Sequence, residues 1–283
     1  MHWRAKALLP PASRLADGPR RLGSTFPAAD SRMVTSVSSS AGDPSAAPGV
    51  AASPVVALDG PSGTGKSTVS RGVARALGLR YLDTGAMYRA LTLAVLRGAP
   101  DAAPELGRGK APTGDLEQQV AALGAAAAIE IGTAAHETWV RLDGDDVSAE
   151  IRGPAVTAAV SAVSAVPAIR RQLVRRQREI IDGGGIVVEG RDIASVVWPS
   201  AQVKVYLTAS AAARAAGRAG EVGAADVAAI EAELVRRDGH DRTRSDSPLR
   251  RADGALVVDT SEMSVDEVIN TLVDMTRKVS ADV

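Results

Sequence analysis

The segment "GPSGTGKST", Gly60 to Thr68, follows the apolar run "PVVALD" and precedes the helix-like "VSRGVARAL". Gly60, Gly65, Lys66 and Ser67 satisfy G-x-x-x-x-G-K-[ST], and they do so between a strand pattern and a helix pattern, the context that a phosphate-binding loop requires. Such a loop works because backbone N–H groups of a glycine-permitted turn converge, with a helix N-terminus, on one anion. Gly60, Pro61, Ser62, Gly63, Thr64, Gly65, Lys66, Ser67 and Thr68 are therefore the candidate residues for a nucleoside triphosphate, ATP or GTP. Lys66 is placed to reach the β- and γ-phosphates as a flexible point charge, and the Ser67 hydroxyl to ligate the Mg²⁺ that bridges them. A planar guanidinium suits the first role less well.

Composition sharpens the point. Lysine occurs only at positions 6, 66, 110, 204 and 278, and every other basic side chain except the histidines is arginine, so the lysine in the loop stands out. The 33 basic and 33 acidic residues cancel. The molecule then has no overall field to gather nucleic acid or a membrane surface, and any anion site must be local. Cysteine is absent, which excludes disulfides and thiolate chemistry and fits a reducing compartment. No apolar run approaches the ~18 residues of a membrane span, and the N-terminus lacks the uninterrupted apolar stretch of a secretory signal. A cytoplasmic protein is expected. With aromatics at 2% and the one phenylalanine, Phe26, in the N-terminal tail, the core has to be built from Val, Leu, Ile and Ala.

Residues 1–52 are rich in Ala, Ser, Pro, Gly and Arg without sustained period and read as a disordered leader. Met33 is a candidate true start, which intact-mass measurement on native protein would decide. From Pro54 the runs "VVAL", "RYL", "IVVE", "VKVYL" and "ALVVD" alternate with segments of helical spacing, the signature of a parallel sheet with crossover helices. Ser264 and Glu267 form a capping-box pattern ahead of the last of these helices. Two regions break the alternation. Residues 98–160 contain a hairpin-like stretch, "AIEIGTAAHETWVRLDGDDVS", and 210–237 are helical but punctuated by Gly217, Gly220 and Gly223, which suggests a mobile helix pair.

Further along come "LDTGAMYRA", "VSAVSAVPAIRRQLVRRQRE", "VVEGRDIAS" and "RRDGHDRTRSDSPL", in that order and with sensible spacing. With the loop, these segments resemble bacterial cytidylate kinases over roughly Val55 to Lys278; each alone is weak, and the combination of "DTGAMYR", "GRDIAS" and R-D-x-x-D-x-x-R is specific. The resemblance implies an α/β fold: a P-loop NTPase core with a five-stranded parallel sheet, a nucleoside-monophosphate-binding insertion at about 98–160 and a short helical lid at about 209–224, all within residues 53–283. It also implies ATP and CMP or dCMP as substrates, Mg²⁺ as cofactor, and a monomer. Carried over by position, Thr84, Arg89, Ser161, Arg170, Arg191, Asp192, Arg237, Asp241 and Arg244 would contact the monophosphate nucleotide.

The chemistry of each is consistent with that implication. Arg89 and Arg191, with Arg244, are forks suited to a phosphate dianion. Asp192 can accept from the exocyclic amine of cytosine, where uracil would set acceptor against acceptor. Arg170 and Ser161 would complete the base pocket, and Asp241 with Arg237 would meet the sugar; a plain i, i+4 ion pair is the alternative for these two. Arg214 and Arg218 remain of a lid cluster that is denser in arginine in similar proteins, and they would act on the transferring phosphoryl with Lys66, Arg89 and Arg191. His136 is read as a solvated imidazole, and Glu189 is given no magnesium role. Guanylate kinase shares the loop but not "DTGAMYR" or "GRD"; a non-catalytic P-loop switch would bind nucleotide without monophosphate-dependent ADP release. Nucleic-acid binding by the basic stretch 169–178 lacks stacking aromatics.

Overall fold

The computed structural model describes residues 53–222, 226–244 and 246–281. The expected leader, with Met33, and Gly223 of the expected lid lie outside the described residues. Strand β1 (Val55–Asp59) leads through the loop at 60–65 into α1 (Lys66–Leu77), and β2 (Arg80–Asp83) leads directly into α2 (Thr84–Gly98). A 3₁₀ turn at Pro100–Ala102 and α3 (Ala103–Leu106) precede α4 (Gly114–Ala126). Three short strands follow, β3 (Ile129–Ile131), β4 (Val140–Leu142) and β5 (Asp145–Asp146), then α5 (Pro154–Ser164) and α6 (Pro167–Ile181). The chain returns to β6 (Ile186–Gly190), a π-helical turn at Ile193–Val197, and β7 (Val203–Thr208). Helices α7 (Ala211–Val222) and α8 (Val227–Thr243), strand β8 (Leu256–Asp259) and α9 (Val265–Ala281) complete it.

The five apolar runs expected to be strands form one parallel five-stranded sheet in the order β2-β6-β1-β7-β8. Every residue of β1 and β6 is buried, as two-sided cover by crossover helices demands. Val55 and Ala57 face the core shared with α2 and α6, through Leu91 and Ile169, while Val56 and Leu58 face Val69, Val73 and Leu272 of α1 and α9. Aliphatic side chains make up most of both layers, as the scarcity of aromatics required, with Tyr81 buried among them. The capping box forms: the Ser264 amide donates to Glu267 Oε2 at 2.8 Å, and the Glu267 amide donates back to Ser264 Oγ at 3.3 Å.

Register decides where this sheet can bind a ligand. Asp59 lies opposite Gly190, and Asp83 opposite Glu189. The carboxyl ends of β1, β2 and β6 therefore stop side by side, which is where ligands bind in open parallel sheets.

The hairpin-like segment is an antiparallel three-stranded sheet, β3-β4-β5. The glycine punctuation of 210–237 turned out differently from expectation: α7 runs through Gly217 and Gly220 without a break. A Cβ at either position would meet nothing within 4 Å, so these glycines mark no turn or close approach and only weaken a continuous helix, by roughly 1 kcal/mol each relative to alanine. Among the described residues, no helix is long and apolar enough to cross a membrane.

Candidate active site

The loop between β1 and α1 has its shape because glycine permits it. Gly60 sits at φ 151°, and a Cβ there would lie 2.2 Å from the carbonyl oxygen of Leu207 in β7. Gly63 and Gly65 also take positive φ, 78° and 75°. Lys66 is the first residue of α1, and its buried ammonium curls back over its own loop, donating to Pro61 O and, at 3.2 Å, to Thr64 Oγ1. Burial, and next the Arg191 guanidinium, push its pKa below the ordinary lysine value. A cation stripped of water and left with one carbonyl and one hydroxyl gains most when a phosphate oxygen arrives.

A cavity of about 270 Å³ opens in front of this loop. Ser62, Gly63, Gly65, Lys66, Ser67 and Thr68 line one wall. The structure brings Thr84, Arg89, Ser161, Arg170, Arg191, Asp192, Arg218, Arg237, Asp241 and Arg244 to the same cavity. These residues come from α2, α5, α6, the segment after β6, α7 and the end of α8, so side chains far apart in sequence meet there only because the sheet ends align. Gly60, Pro61, Thr64 and Arg214 do not line it; the first three shape the loop or hold Lys66, and Arg214 is engaged on the far side of the loop, where it donates to Ser62 O at 2.9 Å.

Arg89 Nη1 donates to Ile151 O at 3.1 Å and Thr157 Oγ1 at 2.9 Å, which holds α2 against α5; burial, then Arg237, lower its pKa to about 10. Arg191 Nη2 donates to Ser62 Oγ at 2.7 Å and Nε to Asp241 Oδ2 at 3.1 Å. Asp241 pairs also with Arg244, three residues on, at 3.4 Å. Its carboxylate is thus engaged by Arg191 and Arg244 rather than by the plain i, i+4 pairing with Arg237. Burial pushes the Asp241 pKa up, but Arg191, Arg244 and Arg237 outweigh it and hold the group below its usual range. Arg237 and Arg244 are themselves lowered by burial, and the Nε of each is buried without a hydrogen-bond partner.

Asp192 and Arg170 form a buried ion pair, with Arg170 Nη2 donating to Asp192 Oδ2 and the guanidinium 5.3 Å from the Tyr88 ring centre. Thr84 Oγ1 donates to Glu189 O at 2.7 Å, fastening the start of α2 to the end of β6.

Three carboxylates belong to this region that the sequence did not assign: Asp59 and Asp238, which it passed over, and Glu189, to which it gave no magnesium role although the structure sets it on the cavity with Ser67. Asp59 accepts from the amides of Ile193 and Ala194, both at 2.8 Å, and so fixes the turn that carries Asp192. Burial raises its pKa to about 7 against the pull of those two amides. Glu189 is buried, accepts from the Tyr81 hydroxyl, and is pushed up by burial and by neighbouring Asp83. Asp238 accepts from the Ser62 amide at 3.1 Å. Only for Glu189 and Asp238 was there a signal, since both stand beside the arginines of the "EGRD" and "RRDGHD" segments.

For Mg²⁺ the donor chemistry fits. The Ser67 hydroxyl, Glu189 and Asp83 all border the cavity beside the loop and offer the hard oxygens that this ion prefers. Among the described residues no group of three or more acidic, His or Cys side chains is arranged so that it could hold a metal ion. Substrate phosphates and water would supply the other oxygen ligands of Mg²⁺.

An amide-and-ammonium cradle facing a wall of guanidinium groups across one small cavity is how two phosphorylated substrates are set end to end, and with this sheet it defines the class: a P-loop nucleoside monophosphate kinase. The family model described as cytidylate kinase matches residues 56–278. The cytidylate kinase of Nocardia farcinica is 55% identical over 226 residues, covering 77% of this chain and 91% of that protein. Those of Mycobacterium avium and Streptomyces griseus are 52% and 46% identical, covering 80% and 78% of this chain and 96% and 91% of theirs. The chain belongs to the cytidylate kinase family.

Proposed function

We propose that this chain transfers the γ-phosphoryl group of ATP to CMP or dCMP, giving ADP and CDP or dCDP, with the loop from Gly60 to Thr68 holding the donor and the arginine wall holding the acceptor. The observation that carries the reading is the gathering of cations on one cavity: Arg89, Arg191, Arg237 and Arg244 line it together with Lys66, and Asp241 is the anion on which Arg191, Arg244 and Arg237 all act. Buried guanidinium groups depressed by desolvation and lacking partners at Nε call for an incoming dianion.

A nucleoside monophosphate has a second pKa near ~6, so at neutral pH its phosphate is already a dianionic nucleophile and no general base is required. The residues then have two tasks, alignment and charge neutralisation. Arg89, Arg191 and Arg237 hold the acceptor phosphate so that one oxygen points at the γ-phosphorus, and Lys66 moves from Pro61 O to the phosphoryl in flight. Arg218 lines the cavity from α7 and is the lid side chain suited to the same charge. Arg214 would have to leave its partners to reach it. Ser67, with Glu189 and Asp83 nearby, would hold Mg²⁺, which when bound would neutralise charge on the donor phosphates.

Base choice falls to Asp192, with Arg170 and Ser161 beside it. The carboxylate accepts from the cytosine amine, and its ion pair with the buried Arg170 fixes its orientation, so uracil's carbonyl meets a fixed acceptor and is rejected. Thr84 and Asp241 complete the acceptor contacts; because Asp241 pairs with Arg244 rather than Arg237, Arg244 takes the place at the sugar that the resemblance gave to Arg237, and Arg237 the place at the phosphate that it gave to Arg244.

ADP release is the direct test: purified protein with ATP and Mg²⁺ is given CMP, dCMP, UMP, GMP or AMP in turn. Turnover with the cytidine nucleotides far above the rest is expected. Equal turnover with GMP, or ATP binding with no monophosphate-dependent ADP release, would overturn the reading.

A further inference from the structure

We propose that Asp238 is a positioning residue for the donor half of the site, bracing the Ser62 amide of the phosphate loop and the Arg214 guanidinium of α7 as one unit. The inference rests on the assignment of that loop to ATP. Asp238 is 3% exposed and sits on α8. Its Oδ1 accepts from the Ser62 amide at 3.1 Å and its Oδ2 from Arg214 Nη1 at 2.5 Å. The same Nη1 donates to Ser62 O at 2.9 Å, so one buried ion pair holds both main-chain polar groups of Ser62. Arg214 Nε is anchored in turn on Ala209 O at 3.2 Å, just past β7. At the next residue the fit is close: a Cβ on Gly63 would lie 3.2 Å from Arg214 Cβ and 3.4 Å from Leu234 Cδ1.

A loop with glycines at 60, 63 and 65 all at positive φ has little stiffness of its own, yet its amides must converge on one phosphate to a fraction of an ångström. The ion pair supplies the missing stiffness from behind the loop. Asp241, three residues further along α8, puts its oxygens on Arg191 and Arg244 instead. Two carboxylates at i, i+3 on one helix therefore serve opposite halves of the site: Asp238 the donor loop, Asp241 the acceptor wall.

Asparagine at 238 could still accept from the Ser62 amide but would turn an N–H₂ group toward Arg214, and lysine at 214 could not reach three acceptors at once. Asp238→Asn, Arg214→Lys and the double variant are compared with wild type by steady-state kinetics varying ATP and CMP separately, with melting curves alongside. The KM for ATP should rise about tenfold in each single variant, from loss of a charge-assisted hydrogen bond, with a clearly smaller rise in the KM for CMP, which Ser62 reaches only through its hydroxyl bond to Arg191. The double variant should be no worse than either single one. An unchanged KM for ATP, equal rises for both substrates as general loosening would give, or multiplying effects in the double variant would overturn the proposal. Should Asp238→Asn fail to fold, Arg214→Lys decides alone by the presence or absence of the ATP-selective rise. Wild-type protein without CMP-dependent ADP release would instead overturn the assignment of the loop to ATP.

Discussion

The Ser62 hydroxyl accepts a hydrogen bond from Arg191 Nη2 at 2.7 Å, which ties a residue of the donor loop to a guanidinium of the acceptor wall. Arg191 is held at its other end by Asp241, so this bond fixes where the fork points across the cavity. Ser62→Ala removes it. A charge-assisted bond to a partly exposed arginine is worth about 1 kcal/mol, so kcat/KM for CMP should fall about fivefold, read from initial rates over a CMP series. An unchanged value would mean that Asp241 alone orients Arg191.

Lys66→Ala should lower kcat by about three orders of magnitude or more, the scale seen when a cation on the transferring phosphoryl is lost. Because the ammonium bonds only to its own loop, the melting temperature should change little. ADP release with saturating CMP, beside a melting curve, checks both halves. Near-normal turnover would contradict the phosphate role of the loop.

Asp192→Asn should narrow the preference for CMP over UMP, since an amide can turn either a donor or an acceptor toward the ring. The change also strips Arg170, 2% exposed, of its counter-charge. Breaking a buried pair from one side costs about 3–5 kcal/mol, so lower stability should accompany the altered selectivity. The ratio of kcat/KM for the two nucleotides, with denaturant unfolding in parallel, separates the effects; an unchanged ratio would move base readout elsewhere.

Asp59 links stability to pH. Its pKa in the folded chain, about 7, lies above the ordinary 3.8, so the folded state holds this proton more tightly than the unfolded state. The contribution is fully present below about 4 and is lost as pH rises through about 7. Asp59→Asn cannot lose a proton, so its melting temperature should fall less than that of wild type between pH 5 and 8, on the order of the window set by that shift. Parallel curves would show that Asp59 keeps its ordinary pKa.

Much of the site was legible because its parts are local. The strand, glycine loop and helix around Lys66 are contiguous, the capping box of Ser264 and Glu267 lies within a single turn, and the five strands announce themselves by apolar runs. The same local reasoning erred at Gly217 and Gly220: glycine signals a break only where a positive φ or a close approach demands it, and neither holds in α7. Nor could it find Asp59, whose surroundings "VVALDG" suggest only the end of a strand, while its two partners lie 134 and 135 residues away.

By itself the sequence determined that a phosphate loop sits between a strand and a helix of a parallel sheet and that cations and carboxylates suited to a second nucleotide are present, because periodicity and turn chemistry act over a few residues. Only the tertiary structure decided which charge meets which. Arginine is abundant here, and any of several could answer a given carboxylate; the pairing of Arg170 with Asp192, of Arg191 with Asp241 and of Arg214 with Asp238 depends on sheet order and on where α8 comes to rest. Ser62 and Asp238 stand 176 residues apart, and a hydrogen bond at that range is chosen by burial and packing geometry, which no short stretch of sequence encodes.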